Sequence, residues 1–290
     1  MKIALERVRN CADGKLNLIN LGLTELPPLP NGLVELLIDR NQLTSLPPLP
    51  SSLTVLSCQE NQLTSLPPLP PLTALLCQYN ELTSLPELPS TLQTLHCNYN
   101  HLTVLPELPL LKVLHCSNNH LVSLPELPPS LDDMDCAVNH LTSLPSLPDL
   151  MFVLDCCRNQ LTSLPPLPAA LERLDCVDNH IRLLPPLPEG LLMLYCKHNL
   201  LETLPELPLG LTYLMCDMPI YGERIDSDMT PEENQLINAQ IRSWTEMQGR
   251  ESKMRCTKRC AQYKEQIMMK VWHPSRVERL LEMGYDMEDI

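Results

Sequence analysis

Residues 53–71 read Leu53-Thr54-Val55-Leu56-Ser57-Cys58-Gln59-Glu60-Asn61-Gln62-Leu63-Thr64-Ser65-Leu66-Pro67-Pro68-Leu69-Pro70-Pro71. The opening half, Val55-Leu56-Ser57-Cys58, alternates inward apolar with outward variable residues, the period of a short β-strand. The closing half, Leu-Pro-Pro-Leu-Pro, excludes an α-helix, because closely spaced prolines remove backbone donors and hold φ near the polyproline II value. The pattern returns every 19 or 20 residues. Units open at Leu33, Leu53, Leu72, Leu92, Leu111, Leu131, Met151, Leu171 and Leu191. A degenerate unit runs through Leu16, Leu18 and Leu23, and a partial one opens at Leu211. Stacked units of this kind build a parallel sheet from their first halves and an extended opposite side from their second.

A period this short with this leucine spacing resembles the leucine-rich repeat, and it implies a thin solenoid, a horseshoe with short parallel β-strands on its concave side and an extended, polyproline II-like convex side. An asparagine recurs at 41, 61, 80, 100, 119, 139, 159, 179 and 199. Its amide suits hydrogen bonding to the turning backbone of its own and neighbouring units. Nine of the 13 cysteines occupy one repeat position, at 58, 77, 97, 116, 136, 156, 176, 196 and 216, where Leu18 and Ile38 stand in the earliest units. Interchange with leucine and isoleucine marks a small buried apolar slot. So many unpaired thiols suit a reducing compartment, host cytoplasm or nucleus, or a virion assembled there.

The unit Leu-x-x-Leu-x-Cys-x-x-Asn-x-Leu-Thr-Ser-Leu-Pro-x-Leu-Pro resembles the short bacterial-type leucine-rich repeat of secreted effectors, including ubiquitin ligases of the invasion-plasmid-antigen H type. The resemblance covers about Asp13 to Met218 and implies a protein-binding surface. Those ligases carry a large helical catalytic domain with a Cys-x-Asp motif, which residues 219–290 do not reproduce, so the ligase activity is not carried over. The closing stretch Trp272 to Tyr285 resembles the carboxy-terminal segment of many giant, large-DNA-virus proteins, which implies a source and not a chemistry.

Composition narrows the function classes. Proline supplies 30 of 290 residues and aromatics only 3%, so an ordinary globular core is excluded, while the regular leucines exclude disorder. Net charge is −14. That argues against a phosphate-binding surface spread over the whole protein, and nucleic-acid or membrane contact is confined to a basic helix expected at 250–270. No phosphate loop, dinucleotide fingerprint or nucleophile elbow appears, and no catalytic residue, metal site, cofactor or small-molecule substrate is assigned.

The expected organisation is a capping helix at 1–12 through Ile3, Leu5 and Val8, a solenoid at 13–218, and a helical segment at 219–290 whose first helix starts with Thr230, Pro231 and Glu233. The concave column between the inward leucine and cysteine reads Leu37, Ser57, Leu76, His96, His115, Asp135, Asp155, Asp175, Tyr195 and Met215. Three aspartates on neighbouring strands repel one another. With Asp133, His96 and His115 beside them, Arg158 and Arg173 as partial neutralisers, and Tyr79 and Tyr99 toward one end, they form the expected recognition patch for a basic or mixed-charge protein partner. A non-catalytic interaction module, viral or effector-like, is the leading reading. A structural component of a particle is its rival.

Overall fold

A computed structural model of the chain describes residues 2–11, 13–218, 223–228, 230, 232, 235 and 237–239. The chain divides into two compact units, Met1–Gln235 and Leu236–Ile290. In the first, a helix α1 (Lys2–Arg9) precedes twelve strands: β1 (Lys15–Asn17), β2 (Glu35–Leu37), β3 (Val55–Ser57), β4 (Ala74–Leu76), β5 (Thr94–His96), β6 (Val113–His115), β7 (Asp133–Asp135), β8 (Val153–Asp155), β9 (Arg173–Asp175), β10 (Met193–Tyr195), β11 (Tyr213–Met218) and β12 (Glu223–Asp228). They form one sheet in chain order, parallel from β1 to β11. This is the solenoid that the repeat predicts, one strand per unit.

Each three-residue strand through β10 buries its central residue and turns the two flanking ones to the other face, apart from β3, where Ser57 is buried as well. Behind the sheet, Leu53, Leu56, Cys58 and Leu63 are fully buried, and their apolar equivalents in the other units are buried too. All nine ladder cysteines are buried and carry free thiols, and Leu18 and Ile38 fill the same slot. The Leu-Pro halves hold neither helix nor strand. Their prolines still serve as acceptors: the carbonyls of Pro50, Pro89, Pro128 and Pro168 take hydrogen bonds from the amides of Leu53, Leu92, Leu131 and Leu171.

The asparagine ladder has the expected bonding. Asn119 Nδ2 donates to the carbonyls of Cys97 (3.0 Å), Cys116 (3.1 Å) and Ser117 (3.3 Å), and its Oδ1 accepts the Leu102 amide at 2.9 Å. One side chain thus ties its own coil to the one before, and the set from Asn41 to Asn199 repeats the arrangement.

Three expectations are corrected. In α1 the buried residue is Ala4, whereas Ile3 and Leu5 are exposed and Val8 is half-buried. A methyl group allows an eight-residue helix to lie close against β1, and the larger side chains fall to either side; Arg7 donates to the Asn17 carbonyl at 2.8 Å. Second, the sheet does not stop at 218: β11 doubles in length and β12 returns antiparallel to it, pairing Tyr213 with Asp228 and Met218 with Glu223. The missed strand, Glu-Arg-Ile-Asp-Ser-Asp, lacks the repeat's leucines, and antiparallel pairing needs only backbone groups. Third, the division between compact units falls at 235/236, not at 218/219. Residues 232, 235 and 237–239 are helical, next to the start expected at Thr230. The basic 250–270 segment and the last expected helix lie outside the described residues. No helix among those described is long and apolar enough to cross a membrane.

Candidate functional site on the concave face

Because the coils stack in strict register, one residue type at one strand position becomes a straight row across the sheet. His96 pairs with His115, His115 with Asp135, Asp135 with Asp155 and Asp155 with Asp175. Asp133 stands in the neighbouring row two residues earlier, after Val113 and followed by Val153 and Arg173. Seven expected site residues, His96, His115, Asp133, Asp135, Asp155, Asp175 and Arg173, therefore share one face.

At one end the imidazoles of His96 and His115 stack with ring centroids 4.4 Å apart and planes 14° from parallel. His115 Nε2 lies 3.5 Å from Asp133 Oδ2. That carboxylate raises the His115 pKa, whereas burial and the neighbouring His115 lower that of His96. At the other end burial, with Asp155 alongside, pushes Asp175 up to about 6. Asp135 is raised by the same two causes. Each aspartate of the row also accepts the amide two residues ahead: Ala137 at 3.1 Å, Cys157 at 3.0 Å and Val177 at 3.2 Å. These Asx turns help aspartate persist at a position where like charges stand side by side.

The other expected residues lie elsewhere. Arg158, Tyr79 and Tyr99 sit in the turn after the strand, with φ of 52°, 56° and 53°, at the margin of the sheet. Arg158 does not neutralise the aspartate row, because the turn carries its side chain to the next coil, where Nε meets Asp178 Oδ2 at 3.4 Å. Tyr79 and Tyr99 stack at 4.3 Å on that margin. Arg173 remains on the face, its guanidinium 5.4 Å from the centre of the Tyr195 ring, and lowers the pKa of Asp175 only as a minor influence.

Two features were missed by reading a single column. Cys157, two positions beyond Asp155, joins it and Asp175 so that one ligand atom from each lies within 4.8 Å of the others, the one such group of three or more among the described residues. Burial and the two carboxylates hold the Cys157 thiol well above its ordinary pKa. Along the margin, Asp178 Oδ1 lies 2.7 Å from His198 Nδ1, whose Nε2 is 3.9 Å from Asp217. Reading the fifth to eighth repeat positions together would have shown both.

Residues 90–129 match the family model described as leucine-rich repeats, two copies. The fold is similar to that of YopM, a leucine-rich effector protein from Yersinia pestis, with 33% identity, 75% of this chain and 77% of that chain covered, and a TM-score of 0.63. It is also similar to YopM from Yersinia enterocolitica WA-314, with 37% identity, 74% and 59% covered, and a TM-score of 0.51. No curated protein matches the chain at the sequence level. A solenoid of this period, this concave sheet and this degree of identity place the chain in the short, bacterial-type leucine-rich-repeat family.

Proposed function

We propose that the protein is a non-catalytic binding module whose concave face captures a basic or mixed-charge protein partner, in the manner of an effector-like adaptor. The observation that carries this is the in-register row Asp135–Asp155–Asp175. The repeat constrains every inward residue but leaves this column free, and the chain uses the freedom to place like charges where each raises the cost of the next. A cationic side chain of a partner relieves that cost. Apolar and aromatic residues border the row, with Phe152, Met193 and Tyr195 on the flanking strands and loops, which suits a partner presenting basic residues among apolar ones. Similarity to a leucine-rich effector supports the adaptor reading.

The nine buried thiols support residence in a reducing compartment, host cytoplasm or nucleus. An origin in a large DNA virus rests on the carboxy-terminal likeness alone.

The test is affinity capture with the wild type and the D135N/D155N/D175N variant. Asparagine keeps an oxygen for each Asx turn, so the fold should be retained or slightly stabilised. Capture should weaken at least tenfold in the variant and fall with added salt in the wild type. Full retention of every wild-type partner by the variant would exclude the row as the binding site.

A further inference from the structure

We propose that the concave face is proton-gated: the stacked pair His96–His115 and the carboxylates in register with it hold a basic partner at neutral pH and release it on mild acidification. The inference rests on the reading of this face as the site for such a partner, and adds its regulation.

The geometry is specific to this face. His115 is flanked on β5 by His96 and Thr94, and on β7 by Asp135 in register and Asp133 at 3.5 Å. Val113 shares its strand, and Lys112 precedes it. His96 meets only the apolar Ala74 and Leu76 on its β4 side. Two imidazoles at 4.4 Å resist double protonation, so the first proton settles on His115, where the Asp133 carboxylate stands as counter-ion. The resulting cation cancels Asp133 and stands beside Asp135. Three strands away from His115, about 14 Å along the sheet at the usual strand spacing, Asp175 is the second place where acid acts. It is faced by Asp155 on β8, Tyr195 on β10, Arg173 on its own strand and Cys157 across the turn. Its pKa near 6 means that mild acid removes its charge. Protons thus cancel two of the four carboxylates, Asp133 beside His115 and Asp175 at the far end of the row, while a lysine-rich partner keeps its full charge.

The probe is decalysine, titrated calorimetrically against the full chain at about pH 8 and about pH 5.5 in low salt. Losing two unit charges at contact distance in water, about 1 kcal/mol each, amounts to about a thirtyfold weakening. The wild type should show that ratio between the two pH values. In H96Q/H115Q the ratio should shrink to about fivefold, the part left to Asp175 and the general charge of the chain. In H101Q/H120Q/H140Q, which removes exposed imidazoles stacked at 5.7 and 5.8 Å outside the sheet face, the full ratio should remain. A ratio unchanged in H96Q/H115Q, or lost in H101Q/H120Q/H140Q, overturns the gate. A wild-type ratio near one with D135N/D155N/D175N weakened at pH 8 overturns the gate alone. No binding at pH 8, or equal binding by that aspartate variant, overturns the site reading and the gate together. A proton NMR titration needs no ligand: His115 should titrate above His96, and coincident or reversed midpoints remove the mechanism.

Discussion

Ten residues from Asn20 to His198, one per coil, hold φ between 52° and 56°, and none is glycine. Asparagine and aspartate tolerate this left-handed region, but Arg40, Glu60, Tyr79, Tyr99, Val138 and Arg158 carry a steric cost there. Several recover it sideways, by contact with the next coil: Arg40 Nε meets Glu60 at 3.0 Å, Tyr79 stacks on Tyr99, and Arg158 reaches Asp178. Val138 is β-branched and brings neither charge nor ring, so it bears strain with the least return. Replacing Val138 by Asn should raise stability by about 1 kcal/mol, read as a higher urea midpoint at unchanged slope. A variant no more stable than the wild type would show that the valine methyl groups are held by packing that outweighs the strain. This column also explains why the left-handed turn is illegible in the sequence. Closure of the coil imposes the conformation, and lateral pairing then decides the residue, so no single type recurs to announce it.

Between one coil and the next, the asparagine rung is where a local residue choice becomes long-range order. Its repetition was legible because no other side chain offers donors and an acceptor at the spacing the turn requires, just as the cysteine slot was legible from its exchange with leucine and isoleucine. What escaped was whatever depends on two coils at once, such as Arg158 turning to Asp178, Cys157 joining Asp155 and Asp175, or Ala4 and not Ile3 meeting β1. Removing a rung isolates its contribution. Asn119→Ala leaves the buried Leu102 amide without its acceptor and takes one donor each from the carbonyls of Cys97 and Cys116, which keep those of Asn100 and Asn139, and should cost about 3 kcal/mol. Asn199→Ala, at a half-buried rung near the end of the array, should cost about half as much, because water satisfies the freed groups there. Chemical denaturation of both variants decides the matter. A loss at Asn199 equal to that at Asn119 would mean that the rung works by local turn geometry and not by burial.

Over the whole solenoid the thiols act together, because a repeat array shares the stability of its neighbours and loses it collectively. Burial raises the pKa of Cys58, Cys97, Cys116, Cys136, Cys156 and Cys176, with Cys77 pushed up to about 12, and the Cys216 contact does so first for Cys196. The sign follows directly. A thiol held protonated in the folded state contributes stability that is complete below the ordinary thiol value of about 8.5 and is lost as pH rises toward the folded value, since the unfolded chain alone ionises. Each such thiol removes about 1.4 kcal/mol per pH unit above that point. The full ladder should therefore make unfolding free energy fall steeply between about pH 9 and pH 10, before lysines and tyrosines titrate. C116V/C136V/C156V removes three ladder thiols from the centre of the array while keeping apolar groups in the slot. Its stability at pH 7 depends on how valine packs, but its slope above pH 9 does not, and should be shallower than that of the wild type by about 4 kcal/mol per pH unit. Denaturation series at each pH under reducing conditions measure that slope. Equal slopes in the two proteins would show that the thiols ionise as readily in the folded solenoid as in the unfolded chain, and the ladder would then be no sealed apolar core.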